Sequence, residues 1–380
     1  MILSAFIAVI AAGCLALGFY LGRRLAAAPI KRLIEVRRNS YLLGQLIKDD
    51  HTRKLVAEAY HDPEEAYREM DSYHWDAVNM IPSPFVGYLP EPFASERFKT
   101  NSQQFRAKSE ISTPKPVNSI RIFLVGASTA FGSGAPDQDR TITGYLEQIL
   151  NGRSSEGRET KYELFCAAAP AWCSAHERIA IENMVSELSP DLVVSLSGNN
   201  EAHWGWNFKN PMWFRSYAES YFWKVLKEAY NIAGERFPDD PITDEKKPMT
   251  PERIAAILAK NTALSLSALK KAGAPFVFAL QPTIAITSKT PSPREEQVLA
   301  QWHPEQIKYY KEVYSHIREN LRALVLDSDS FHFLDLSAIF DDRRNESIFL
   351  DSYHFGDKGN EIIAETLAPE IVKALNRRSR

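Results

Sequence analysis

Three short stretches of this chain carry residue types that could do chemistry. The first is Gly126-Ala127-Ser128-Thr129, directly after an apolar run at residues 120–125. A small-residue turn at the carboxyl end of a buried strand would present the Ser128 hydroxyl to a substrate and its backbone N–H to a developing oxyanion. Taken alone, the same residues make an ordinary tight turn. A phosphate-binding loop is a poorer reading, because the Gly-x-x-x-x-Gly-Lys spacing is absent. The second stretch, Ser197-Gly198-Asn199-Asn200-Glu201, follows the β-rich run at 192–196. A side-chain amide at a strand end can donate to negative charge, although a turn or helix cap uses the same residues. The third is Asp351-Ser352-Tyr353-His354, just ahead of the last helical pattern. The three-residue offset lets the carboxylate reach the far ring nitrogen, fix the tautomer and support an imidazolium; a solvated surface pair is the plain alternative. Together, a nucleophile, an amide donor and an Asp–His pair are what acyl transfer requires.

The elements that must position these groups follow from the apolar rhythm beyond residue 118. Strand-length runs at 120–125, 162–166, 192–196, 276–280 and 331–336 alternate with helical patterns at 141–150, 175–188, 251–272, 304–324 and 358–375. Alternation of this kind predicts βαβ units: a parallel sheet covered on both faces, hence a three-layer α/β/α sandwich. In such sheets a site forms beyond the carboxyl ends of the strands, where all three chemical stretches fall.

At this point the sequence resembles the SGNH/GDSL hydrolases, over about residues 98–376. Gly126-Ala127-Ser128-Thr129 is similar to the first block, usually Gly-Asp-Ser. Cys166-Ala167-Ala168-Ala169-Pro170-Ala171-Trp172 resembles the second, and Gly198-Asn199-Asn200-Glu201 the Gly-x-Asn-Asp third. Asp351-x-x-His354 followed by Phe355-Gly356-Asp357-Lys358-Gly359-Asn360 resembles the fifth. Thr100-Asn101-Ser102-Gln103-Gln104-Phe105-Arg106 is similar to a lead-in of envelope-associated bacterial members. The resemblance implies a flavodoxin-like SGNH fold and a catalytic triad of Ser128, Asp351 and His354. It also implies an oxyanion hole from the N–H groups of Ser128 and Ala171 and the amide of Asn200. Ala171 departs from the family's glycine; alanine keeps the donor but restricts the backbone. Ala127 departs from its Asp, which is no triad member. The implied activity is hydrolysis of a carboxylic ester or O-acyl/O-acetyl group without a metal or organic cofactor. O-acyl transfer to an alcohol on the same site is the runner-up, and a non-catalytic membrane-tethered module the third reading.

The remaining features concern placement. Residues 1–22 contain no charged side chain, and 22 helical residues span about 33 Å, enough to cross a bilayer. No basic residue precedes the run, as a cleaved signal peptide would need, so an uncleaved single-pass anchor in the inner membrane is expected. Ala11-Ala12-Gly13-Cys14 only weakly resembles a lipoprotein site. Arg23, Arg24, Lys31, Arg32, Arg37 and Arg38 follow the run, which predicts a cytoplasmic catalytic domain, with the periplasm as alternative. Residues 23–60 read as a basic helical stalk, 61–117 as a Pro-punctuated, loop-rich lead-in, and 118–380 as the hydrolase domain. An aromatic insertion near 202–235 follows the third block. Its Trp204 and Trp206, together with Trp172, are candidate substrate-contacting side chains, while a membrane-contacting patch and plain core packing are the other readings of the insertion. The implied partners are an acyl ester of a small molecule, glycan or lipid, and the bilayer. A net charge of −3 gives no global basic field for nucleic acid. Cys14, Cys166 and Cys173 are too few for a disulfide scaffold, and no Cys/His spacing suggests zinc.

Overall fold

A computed structural model describes residues 2–39, 47, 49–73, 79–154, 160–212, 217–238 and 247–378. Helix α1 (Ile2–Asn39) carries the N-terminal apolar run and continues without a break into the first basic residues. Its segment Ile10–Lys31 is long and apolar enough to cross a membrane. Residues 40–46 and 48 of the expected stalk lie outside the described residues. Short helices α2 (Asp50–Ala57) and α3 (Pro63–Glu69) follow, capped by Asp49 and Asp62. Their small core of Val56, Ala57, Ala59, Tyr60, Ala66, Met70 and Tyr73 includes Leu350, from the stretch before Asp351. The boundary expected at residue 60 therefore falls inside a packed unit. Tyr60 donates to the Gly134 carbonyl (2.8 Å) and the His61 N–H to Asp357 (2.8 Å), tying the unit to the main domain.

The lead-in adds two antiparallel pairs, β1 (Met80–Ser83) with β2 (Gly87–Pro90), and β3 (Phe93–Ala94) with β4 (Lys99–Thr100). Beyond them Arg106 exchanges backbone hydrogen bonds with Cys166, both at 3.0 Å, so this segment is stitched to the sheet edge. The Arg106 guanidinium is buried and donates to the carbonyls of Phe131 (2.8 Å) and Gly132 (3.0 Å). It thereby satisfies the end of the short helix that starts at Ser128, whose last carbonyls have no intrahelical partner.

The main sheet holds β5 (Ser119–Gly126), β6 (Lys161–Ala168), β7 (Leu192–Ser197), β8 (Phe276–Leu280) and β9 (Phe331–Asp335), all parallel, in spatial order β6-β5-β7-β8-β9. Counted within the domain this is 2-1-3-4-5, the flavodoxin-like order, whose switch point lies between β5 and β7. The strands are apolar on both faces because helices cover both. Along β5, Ile122 and Leu124 enter one core while Phe123 and Val125 enter the other.

After β5 come α4 (Ser128–Phe131) and α5 (Ile142–Ser154); α6 (Ser174–Asn183) follows β6. Helices α7 (Asn199–Trp206) and α8 (Tyr217–Ala233) follow β7, and α9 (Pro251–Ala272) leads to β8. Then α10 (Pro293–Leu299) and α11 (Pro304–Leu326) precede β9, and α12 (Asp357–Arg378) closes the chain. Helices α5 and α12 pack on each other over one face; α6, α9 and α11 layer the other. The three-layer α/β/α sandwich expected from the apolar rhythm is the fold observed. Local chemistry sets several ends: α9 begins at the Thr250 cap with Pro251 in its first turn and stops at Gly273 in the left-handed region. Of the aromatic insertion, residues 213–216 lie outside the described residues, as do residues 239–246 beyond it.

Candidate active site

Register brings the site together. Gly126 pairs with Ala168 on one side and Leu196 on the other, so β5, β6 and β7 end level. Ser128, Ala171 and Asn200 each lie a few residues beyond those ends, at the switch point. Gly126 has φ +151, and a Cβ there would lie 2.5 Å from the Leu196 carbonyl oxygen. Only glycine lets β5 end this close to β7 and turn at once into α4, which places Ser128 at that helix's first position. Gly198, at φ +110, makes the corresponding turn out of β7, where a Cβ would meet Leu280 at 2.5 Å.

His354 Nε2 lies 2.8 Å from Ser128 Oγ, and His354 Nδ1 lies 2.7 Å from Asp351 Oδ2. With the carboxylate on Nδ1, the proton sits on that nitrogen, leaving Nε2 as the acceptor for the serine hydroxyl. Burial alone would push the Asp351 carboxyl up. The neighbouring His354 charge, the His354 ring N–H and the backbone N–H groups of Tyr353 and His354 outweigh it and hold Asp351 below the usual carboxylate range.

The Asp351–His354 loop is fastened from several sides. Arg294 donates twice to the Leu350 carbonyl (3.0 and 2.8 Å), and Trp302 donates to Ser352 Oγ (3.0 Å). Gln281, one residue past β8, donates to Thr129 Oγ1 (3.0 Å) and the Tyr353 carbonyl (3.3 Å), linking the serine's helix to the histidine's loop. Sequence reasoning did not single out Gln281 or Arg294; Gln281's position at a strand's carboxyl end was the available signal.

The expected oxyanion donors are placed as follows. The Ser128 N–H opens α4 and so has no intrahelical acceptor. Ala171 has φ +66, in the left-handed region that the family's glycine would occupy without strain. Asn200 Nδ2 donates one hydrogen to the Trp172 carbonyl (2.7 Å), which leaves its second amide hydrogen for another acceptor.

The three tryptophans separate. Trp172 has no exposed surface: it stacks on His176 (6.0 Å between centroids, 9° between planes) and meets Tyr88 edge-on. The turn at Ala171 sends this ring into the core, so it is a packing residue and not the substrate-contacting side chain expected. Trp206 is half-buried against Tyr309. Trp204 is half-buried and meets His203 edge-on, and His203 in turn meets Tyr353. His203 is a further residue near Asp351 and His354 that the sequence did not flag. Burial pushes its imidazole down to about 4, with Asp351 pulling the other way, so it is neutral at pH 7 and does not compete with His354 as a cation. Among the described residues no group of His, Cys, Asp and Glu could hold a metal ion.

Beneath the site lie two buried carboxyls. Glu177 accepts from Ser195 Oγ and Ser197 Oγ, both at 2.5 Å, and Glu201 accepts from the Ser174 N–H at 2.5 Å. Burial, then the charge of Glu201, pushes Glu177 up to about 8, against the two hydroxyl hydrogen bonds. Its folded pKa thus lies above its unfolded one. The associated stability is fully present below about pH 4.5 and is lost as pH rises towards about 8. Glu177→Gln is expected to leave the melting temperature nearly unchanged at pH 5 and to raise it at pH 8.5, by roughly 2–4 °C per kcal/mol recovered. Thermal unfolding of both proteins across that range checks this; a difference that does not vary with pH would contradict it.

No family model matches the sequence, and no curated protein matches it significantly. Solved structures do show likenesses. One is a member of the lipolytic G-D-S-L family from Veillonella parvula: 12% identity, TM-score 0.40, covering 67% of this chain and 98% of that one. An acetyl xylan esterase is similar at 15% identity and TM-score 0.38, covering 66% and 100%. A psychrotrophic esterase from Pseudoalteromonas is similar at 12% identity and TM-score 0.37, covering 67% and 98%. At such identities and scores these likenesses decide neither activity nor substrate.

Proposed function

We propose that this chain is a serine ester hydrolase of the SGNH/GDSL type, with Ser128 as nucleophile, His354 as general base and acid, and Asp351 as the group that orients it. The observation that carries the reading is the unbroken hydrogen-bond chain from Ser128 Oγ through His354 to Asp351, at 2.8 and 2.7 Å, at the switch point of the sheet. His354 Nε2 takes the hydroxyl proton as Ser128 Oγ attacks the ester carbonyl. The oxyanion is held by the N–H groups of Ser128 and Ala171 and the free hydrogen of the Asn200 amide. His354 then passes the proton to the leaving alcohol, and water resolves the acyl-enzyme by the same route. Tyr353 adjoins His354, His203 meets Tyr353 and Trp204 meets His203, and the three would form part of the substrate wall. The test is labelling of the full chain with a fluorophosphonate, followed by a panel of acetyl and longer acyl esters. Labelling without turnover of any ester would sink hydrolysis and favour transfer of the acyl group to another alcohol.

Residues 1–22 are proposed to anchor the enzyme in the inner membrane, with the catalytic domain in the cytoplasm. The support is the uncharged run of residues 1–22 within α1, with the basic residues Arg23, Arg24 and Lys31 following it. A C-terminal fluorescent fusion is expected to glow and an alkaline phosphatase fusion to be inactive; the opposite pair of results would move the enzyme to the outer face.

A further inference from the structure

The two carboxyls beneath the site do more than fill the core. Glu177 and Glu201 are 3% and 0% exposed, and among the described residues neither has a cationic partner. Among the described residues, the elements packed around them bring them no ion pair. On α6, Arg178 pairs with Glu182 (2.7 Å) and donates from Nε to Asn261 Oδ1 (3.2 Å). His176, on the same helix, is pushed down to about 4 by burial and accepts from the Cys173 N–H. β7 contributes the hydroxyls of Ser195 and Ser197. On α9, Asn261 donates to Ser174 Oγ (3.0 Å). From α11, Tyr314 is close enough to feel the Glu201 charge, and its hydroxyl is engaged with the Gln281 carbonyl. Two unpaired carboxylates cannot both stay ionised in such a place. Glu201 Oε2, moreover, has no hydrogen-bond partner among the described residues.

Their position gives the pair a task. Glu201 directly follows Asn200 in the first turn of α7, and these two side chains grip one loop at two points. Asn200 holds the Trp172 carbonyl at 2.7 Å, and Glu201 holds the Ser174 N–H at 2.5 Å. Between β6 and that grip lies Ala171, whose left-handed backbone aims its N–H. The amide donor from α7 and the backbone donor from the loop are thus fixed relative to each other through Glu201. We propose that Glu201, buried with Glu177 beneath the site, is the positioning residue that sets the spacing of the two oxyanion donors. This rests on the reading of Ser128 as the nucleophile.

The test uses the full chain in detergent with p-nitrophenyl acetate and a phosphonate probe. Glu201→Ala is expected to lower kcat by about 10²–10³-fold, the loss typical of a misplaced oxyanion donor. KM is expected to stay within about threefold, since the loss is confined to the transition state. Glu201→Gln, whose amide oxygen still accepts from the Ser174 N–H, is expected to restore kcat to within about fivefold of wild type. The ³¹P resonance of the phosphonylated serine, which reports on the donors around the bound oxygen, should move in Glu201→Ala and not in Glu201→Gln. Unchanged kcat in Glu201→Ala, or equal losses in the two variants, would overturn the proposal. Should Glu201→Ala not fold, infrared spectroscopy decides: wild type is expected to show a protonated-carboxyl stretch at pH 6.5 that Glu177→Gln removes, and its absence from wild type overturns the pair. If wild type fails to label or turn over ester, the hydrolase reading falls, whereas the infrared band still judges the proton-sharing pair on its own.

Discussion

Ser128→Ala is expected to abolish labelling by a serine-directed phosphonate and to lower ester turnover by about 10⁴-fold or more. The hydroxyl is the one group at the switch point with both a base and an opening helix to itself: His354 Nε2 stands 2.8 Å away, and the Ser128 N–H begins α4. Removing one oxygen leaves the donors of Ala171 and Asn200 in place, so residual hydrolysis above the rate in water is expected. The fold should not change, because among the described residues Ser128 Oγ is hydrogen-bonded to His354 and the turn is made by Gly126. Intact-mass analysis after phosphonate treatment reads the result directly: one adduct on wild type and none on the variant. Equal adducts on both would remove Ser128 from the mechanism.

Asp351→Asn is expected to keep the fold and to lower kcat by roughly 10²–10⁴-fold, the range set by triads that lose tautomer control. Asp351 accepts from the backbone N–H groups of Tyr353 (2.9 Å) and His354 (2.8 Å) through one oxygen and from the His354 ring through the other. An asparagine can keep the first set with its carbonyl oxygen. Its amide nitrogen would then face Nδ1 and donate to it, forcing the proton onto Nε2 and turning the ring's accepting edge away from Ser128. Thermal unfolding should therefore shift little while kcat collapses. A pH–rate profile with undiminished kcat would mean that another carboxylate orients the histidine; among the described residues Asp351 is the carboxylate in contact with that ring.

The central strands β5, β7 and β8 were legible because each is mostly a run apolar on both sides, which is what burial between two helical layers demands. The expected 276–280 strand coincides with the observed one, and the 120–125 run lies within Ser119–Gly126. Five helices were not assigned, each for a local reason: α3 opens at Pro63 in a Pro-punctuated stretch that reads as loop. α4 is four residues long and so has no period to detect. α7 starts inside a Gly-Asn-Asn stretch that reads as a turn, and α10 is a seven-residue helix announced only by its Ser292–Glu295 capping box. α8, in the aromatic insertion, carries rings that fit a lid as well as a helix.

Residue type and order alone determined the α/β class, the placing of three chemical stretches at strand ends, and Ser128, Asp351, His354 and Asn200 as the residues to watch. Tertiary structure decided which of the named residues face the site. Trp172 follows the small-residue stretch Ala167-Ala168-Ala169-Pro170-Ala171, which gives its ring no direction; the left-handed turn at Ala171 sent it inward. Gln281, Arg294 and His203 come from segments far from Ser128 and His354 in the chain and meet them only because β5, β7 and β8 are neighbours in the sheet. Glu177 looks like an ordinary surface glutamate in sequence, and Glu201 is legible only as the last residue of the third-block stretch. Their meaning comes from desolvation, a property of the surroundings that no local pattern encodes, because it exists only once α6, β7, α9 and α11 have closed over them.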